Sequence, residues 1–291
     1  MMRRLLLVIR PALIACYALL GALLLALNLA GLLIPLRNDA IYTDATNGFA
    51  ADITLTYDQF RAESPRRAGE PDAAYIARLT DLVHRGMAHR WPDDGSDTYR
   101  LRVPAWENYL LHLASYARPE IYRRYEFADP DRAMARGVGL CSQHALALAA
   151  LLRRAGIAAQ VVELDGHVVT RAVAADGNRY LADADFGLVL PHGRRAIEAD
   201  PEIAAPYYEA AVTDWQGGVP EGYPTLVAGV VAFYGPEGND TLPETWSPAG
   251  TPAFEVWAYR LKWPLPVVLL ALAALCLLPR HRDSPYAPTM P

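Results

Sequence analysis

Cys141 stands where a thiol is easiest to ionise. It follows Gly137-Val138-Gly139-Leu140 and opens the run CSQHALALAALLRRA, which is rich in strong helix formers and precedes Gly156, an expected helix stop. A side chain at such a helix start lies over unpaired backbone N–H groups and the positive end of the dipole, which favour thiolate over thiol. A thiolate is a nucleophile, and it needs a base beside it. Gly166-His167 opens a strand that supplies one, and Asp183 lies 16 residues beyond His167.

The segment between His167 and Asp183 reads as a hairpin. Ala175-Asp176-Gly177 is turn chemistry; with a three-residue loop and Gly177 left-handed, Ala174 pairs with Asn178 and paired positions sum to 352. Val169 then faces Asp183, and His167 and Asp183 are diagonal neighbours on one face, with Cα atoms roughly 7–8 Å apart. In that register His167 takes a proton from Cys141 while the carboxylate holds its tautomer and ring orientation. The same register sets Asp185 directly opposite His167, so geometry leaves two carboxylates for the third position. A one-residue change in loop length turns both away.

The elements around these residues follow from periodicity. Ala51 to Thr56 reads as a short strand, and Ser64 to Asp72 as a Pro/Gly/Arg-rich loop. From Ala73 to about Arg90 the apolar residues Ile76, Leu79, Leu82, Val83 and Met87 recur at helical spacing behind Asp72 as N-cap, and Trp91 to Gly95 ends that helix. A second helix starts after Pro104 and runs to about Tyr116 with Trp106, Tyr109, Leu110 and Leu113 inward; a third, short one spans Pro130 to Ala135. Ile157 to Leu164, His167 to Ala174 and Asn178 to Asp183 read as strands. Helix followed by three strands predicts an α+β fold, an antiparallel sheet packed on the Cys-bearing helix. After Pro191 the chain is rich in Pro, Gly and acidic residues, with Leu226 to Tyr234 as one strand-like stretch and no second core of separate-domain size.

GVGLCSQHALALAALLRRAGIAAQVVELDGHVV…DGNRYLADADFG, about 50 residues, resembles the core of the transglutaminase-like superfamily, circularly permuted relatives of papain-type thiol enzymes. The shared pattern is Gly139-x-Cys141, Arg153-Arg154-Ala155-Gly156-Ile157, His167 and Asp183. The resemblance favours Asp183 over Asp185 because the family's Asp follows an aromatic residue by a few positions. It implies acyl-enzyme chemistry on an amide or ester, with Cys141, His167 and Asp183 as the catalytic set, no cofactor and no metal. His84, His89, His112 and His192 read as surface or packing residues, His144 as a neighbour of the site at most, and Glu107 as a complement to a helix dipole. The family's usual Trp is Tyr180 here, its Pro is Ala184, and Val168-Val169 replaces a small-aromatic pair. These departures motivate a second reading, an inactive transglutaminase-like module that binds a partner in envelope or exopolysaccharide assembly.

Both ends of the chain are apolar. Pro11 to Leu36 carries no charge, follows Arg3, Arg4 and Arg10, and is long enough to span ~30 Å of hydrocarbon. Trp263 to Leu278 is shorter, starts at Pro264 and Pro266, and is flanked by Trp257, Tyr259 and Trp263 on one side and Arg280, His281 and Arg282 on the other. The expected organisation is a cytoplasmic N-terminus (1–10), an uncleaved span (11–36), an exported domain (37–262, core about 104–191), a second span (263–279) and a cytoplasmic tail (280–291). This places the domain on the periplasmic side of a bacterial plasma membrane, acting on a peptide or amide substrate, with hydrolysis favoured over acyl transfer. Cys16 and Cys276 fall in the spans, so the exported domain has one thiol, and three Cys form no disulfide framework. The 291 residues carry 27 Lys and Arg against 32 Asp and Glu, −5 overall and −9 once five flanking Arg and Asp283 are set aside. With no basic stripe, nucleic-acid binding is excluded as an expectation.

Overall fold

The computed structural model describes residues 2–43, 53–89, 97–214, 223–235, 239–248, 250 and 252–278. Helix α1 (Met2–Ala30) contains Pro11–Ala30, a stretch of mean hydropathy 2.3 that is long and apolar enough to cross a membrane. The apolar run to Leu36 outlasts this helix: residues 31–33 turn, and Leu36 and Arg37 are buried against the rest of the protein. Arg37 donates to the carbonyls of Leu55, Gly86 and Met134.

Residues 53–56 form no strand; the Thr54 and Leu55 amides both donate to the Arg85 carbonyl, and Thr56 caps helix α2 (Tyr57–Glu63) through a capping box with Gln59. Helix α3 (Asp72–Gly86) buries Ile76, Leu79, Leu82 and Val83 as its periodicity requires. Its N-cap is Pro71, and the Asp72 carboxylate accepts from the Ala175 amide at 2.7 Å, tying the helix start to the far hairpin turn. The helix stops four residues before Arg90 because the chain straightens into strand β1 (Ala88–His89). The turn expected over residues 91–95 lies outside the described residues.

Helix α4 (Ala105–Ala117) is broken at Asn108, whose extended backbone and side chain, accepting from the Leu110 and Leu111 amides, start a fresh helical segment. The break shifts the inward face: Tyr109 and Leu111 are buried, whereas Leu113 is 60% exposed. Helices α5 (Pro119–Tyr122) and α6 (Pro130–Arg136) lead into strand β2 (Val138–Gly139), which pairs parallel with β1, His89 opposite Gly139. Helix α7 (Cys141–Arg154) follows.

Strands β3 (Ala158–Glu163), β4 (Val168–Val173), β5 (Arg179–Asp183) and β6 (Leu188–Leu190) form an antiparallel meander. The β4–β5 partners Thr170–Ala182 and Arg171–Leu181 each sum to 352, and Gly177 sits at φ +86° in the turn, as the hairpin chemistry predicts. Helices α8 (Arg194–Ala199), α9 (Ala205–Thr213) and α10 (Tyr223–Ala232) come next, and strand β7 (Asp240–Thr241) completes the sheet in the order β6-β5-β4-β3-β7. The 226–234 stretch is therefore mostly helix, not strand. Its buried residues Val227, Val230, Val231 and Tyr234 fall at i, i+3, i+4 and i+7, a helical stripe that outweighs the β-propensity of valine.

Two cores result, one on each face of the sheet. Ala145 and Leu148 of α7 pack on Ala159, Val161, Ala172 and Ala182, with α3 and α6 behind them. Val162, Val169, Leu181 and Leu190 face Ile197, Tyr208, Val212 and Val230 of α8–α10 on the other side. The mixed fold with an antiparallel sheet and the Cys-bearing helix on it holds. The acidic, Pro-rich segment after residue 191 is a covering layer rather than a tail.

Helices α11 (Pro252–Leu261) and α12 (Pro264–Leu277) meet at a 42° bend and are long enough to cross a membrane only when taken as one broken span. Prolines at 264 and 266 cannot donate, which breaks the ladder and frees the Lys262 carbonyl. That carbonyl accepts from Asn28 at 2.5 Å and from Tyr109 at 2.8 Å. Gly21 of α1 allows α12 to approach so closely that a Cβ there would lie 2.9 Å from Leu270 and 3.0 Å from the Pro266 carbonyl. Gly21→Leu is expected to cost about 1–3 kcal/mol by overpacking and to lower the denaturation temperature of the detergent-solubilised chain. An unchanged melt would contradict this packing.

Candidate active site

The structure brings Cys141, His167 and Asp183 together. Cys141 is the first residue of α7, half-buried, behind an extended Leu140. The start of the helix is held from below by buried polar groups. Gln143 donates to the Phe127 carbonyl and accepts from the Phe127 amide, while Ser142 donates to the Glu126 carboxylate at 2.8 Å. Burial pushes the Glu126 carboxyl up from its ordinary value, although the Ser142 hydroxyl opposes this.

The His167 imidazole bonds the Asp183 carboxylate through Nε2 at 2.7 Å, and the Cys141 side chain stands near enough to help raise the ring's pKa. With Nε2 taken by Asp183, Nδ1 is the nitrogen left for the thiol. Burial works against the charged ring, but the Asp183 carboxylate and the thiol outweigh it, so the His167 pKa stands well above its usual value. The ring is held between Phe186, edge-on at 6.0 Å, and Phe233, stacked at 6.4 Å. Gly166 makes this possible: it sits at φ +105°, and a Cβ there would lie 2.6 Å from Phe233.

Asp183 is itself fixed on all sides. Its Oδ2 accepts from His167 and, at 2.6 Å, from the Tyr208 hydroxyl, which in turn bonds the Tyr234 hydroxyl at 2.7 Å. Its Oδ1 accepts from the Asp185 amide at 3.0 Å. Tyr208 comes from α9 and Tyr234 from the turn after α10, so the layer after residue 191 reaches the site. Nothing local in the sequence marks them, because they join it only through long-range packing. Tyr208→Phe removes one of the donors that hold the carboxylate. Alkylation of Cys141 is expected to slow by about tenfold, with a stability loss of about 1 kcal/mol; an unchanged rate would show that the tyrosine does not position Asp183.

Asp185, the other carboxylate that the hairpin register allowed, is committed elsewhere. Both its oxygens lie 2.7 Å from His89 Nδ1, and the nearer one is 3.8 Å from His144 Nδ1. His144 lies one helical turn after Cys141 and points its two ring nitrogens at the carbonyls of Leu140 and Met87, at 2.8 and 3.0 Å. Burial disfavours the Asp185 carboxylate, but the two histidines outweigh it and hold its pKa below the ordinary range. Burial likewise opposes His89 ionisation and Asp185 reverses it, so the His89 pKa is raised.

A cleft of about 220 Å³ opens beside His167, lined by Ile53, His84, Met87, His89, Asp185, Phe186, Leu226 and Val230. His84 and His89 are thus walls of this cleft rather than surface or packing residues. The two-residue strand β1 that brings His89 opposite Gly139 is too short to leave a periodic signal. The cleft combines apolar walls (Ile53, Met87, Phe186, Leu226, Val230) with the ionisable His84, His89, His167 and Asp185, a mixture suited to hold and orient a small polar substrate beside the His167–Asp183 pair.

Residues 72–175 match the family model of the transglutaminase-like superfamily, a span from α3 through β4 that includes Cys141 and His167. No curated protein and no solved structure matches the chain. With the match on the segment that carries the thiol and its histidine, residues 72–175 are a domain of the transglutaminase-like superfamily, related to the papain-type thiol enzymes.

Proposed function

We propose that this protein is a membrane-anchored thiol enzyme that cleaves an amide or ester through an acyl-enzyme on Cys141, with Cys141, His167 and Asp183 as the catalytic set. The observation that carries this reading is the buried Asp183–His167 pair with its imidazole against a thiol at a helix start. The Cys141 sulfur attacks the substrate carbonyl carbon and forms a C–S bond. The oxyanion takes a hydrogen bond from the Cys141 backbone N–H. Imidazolium His167 then gives its proton to the leaving amine as the C–N bond breaks. Water attacks the thioester, passes a proton to His167, and releases the carboxylic acid with the thiol restored. Hydrolysis is favoured over transfer because water is always present and transfer requires a protected amine site.

The anchor is α1 together with α12, both ends of the chain inside and the domain between them, with α11 packed on it through Glu255 and Ala258, outside the plasma membrane. The close packing at Gly21 and the Asn28 bond to Lys262 support two paired spans. Reporter fusions after residue 291 and in the 175–177 turn should read inside and outside respectively; an outside reading at residue 291 would remove the second span.

The chemistry is tested with p-nitrophenyl acetate. A burst of one nitrophenolate per chain, absent in Cys141→Ala, is expected. No burst, with Cys141 alkylating as an ordinary thiol of pKa about 8.5, would leave a binding module in place of an enzyme.

A further inference from the structure

On the α8–α10 side of the sheet, at the opposite end of β4 and β5 from His167 and Asp183, lies a cavity of about 460 Å³ lined by Arg171, Arg179, Gly193, Arg194, Arg195 and Ala196. Four arginines, from two adjacent strands and the segment that opens α8, therefore line one concavity. Arg171 and Arg179 alternate with Val169 and Leu181, which belong to the core on this face, so both stand on the same side as that core. The Arg179 stem lies against Gly193, about 3.5 Å from where a Cβ would be. Arg194 is steadied by Glu198 at 3.2 Å and by the Asn239 carbonyl at 3.0 Å. Among the described residues, no carboxylate is bonded to Arg171, Arg179 or Arg195. With only Arg194 paired to a carboxylate, the concavity carries net positive charge on a chain whose net charge is −5.

Like charges brought together without counter-charges repel, and each guanidinium presents a planar fork of donors matched to an oxyanion. We infer that this cavity is a binding site for an anion bearing two or more phosphoryl or carboxylate groups. The ligand reaches it from solution or as part of a polymer rather than from a bilayer. The apolar helices α1 and α12 pack with α4 and α11, whose Trp106, Ala258 and Tyr259 join the core on the opposite face of the sheet. Arg171 and Arg179 each lie four residues along their strands from His167 and Asp183, about 13 Å. The site does not depend on the role proposed for Cys141.

The test is calorimetric titration of the full chain in phosphatidylcholine nanodiscs with inorganic tripolyphosphate and, separately, with tricarballylate. Saturable binding of either, weakened about 100-fold in the Arg171→Gln/Arg179→Gln chain and unchanged in an Arg61→Gln/Arg67→Gln control, is expected; the stronger of the two names the anion chemistry. Binding that is absent for both probes, equal in the Arg171/Arg179 variant, or equally lost in the control would overturn the site. Loss of tripolyphosphate binding when phosphatidylglycerol replaces phosphatidylcholine would assign the cavity to headgroups and overturn the solution ligand. Circular dichroism of each variant separates loss of the site from loss of the fold.

Discussion

In the His167→Ala chain, nitrophenolate release falls by about 10²- to 10⁴-fold and alkylation of Cys141 at neutral pH slows. Two features make this effect large. Cys141 sits at the start of a helix, where a negative sulfur is favoured, and the His167 imidazole near it is anchored by the Asp183 carboxylate. The pH dependence has a definite sign. The folded-state pKa of His167 is raised, so the imidazolium is favoured by folding. The stability it contributes is present in full below about pH 6.5, its unfolded value, and is lost as pH climbs through the folded value. Alkylation of the wild-type thiol at neutral pH should therefore outpace that of His167→Ala, in which no imidazolium stands beside the sulfur. A Cys16→Ser/Cys276→Ser background makes the label report on one site. Identical profiles for the two chains would show that His167 does not activate the sulfur.

Arg136→Leu is expected to destabilise the domain by about 3–5 kcal/mol, the largest structural effect of any single substitution considered. The guanidinium is wholly buried, with Nε on the Val138 carbonyl at 3.1 Å, Nη1 on the Tyr125 carbonyl, and Nη2 on the Gln143 side chain at 3.2 Å. Burial lowers its pKa to about 10, against the opposing pull of Glu126 and Glu255, so it remains charged at neutral pH. Both carboxyls are pushed up by their own burial. Removing the cation leaves them uncompensated, raises them further, and orphans two carbonyls behind the strand that precedes Cys141. Because raised acids cost stability as pH rises past their unfolded values, the deficit should shrink from pH 7 to pH 5. Arg136→Lys, which keeps a charge but loses the fork, should fall between the two. A melting temperature equal to wild type at pH 7 would contradict the account.

Local chemistry made part of this site legible. The β4–β5 register follows from a three-residue turn with a left-handed glycine, and that register alone placed Asp183 within reach of His167. It could not separate Asp183 from Asp185, because the choice is made by partners from elsewhere: Tyr208 on one carboxylate, His89 and His144 on the other. The stretch from Leu226 reads as a strand because its residues are β-branched, whereas the face they bury has a helical period. The inward face of α4 shifted because a buried Asn108 breaks the helix in mid-course. In each case what was missed is a side chain whose meaning depends on distant packing.

The bend between α11 and α12 bears on where the protein can work. Glu255 of α11 accepts from the Tyr125 hydroxyl and the Ala128 and Asp129 amides, Arg136 holds the Tyr125 carbonyl, and Gln143 of α7 grips both backbone groups of Phe127. At the other end of α11, the Lys262 carbonyl is held by Asn28 and Tyr109. A continuous run of hydrogen bonds thus joins the apolar helix pair to the turn of backbone that presents the sulfur. With the helix pair in a bilayer as proposed, the sulfur stands at a set height above the lipid, and the proposed cleavage would select a scissile bond by how far from the bilayer its substrate carries it.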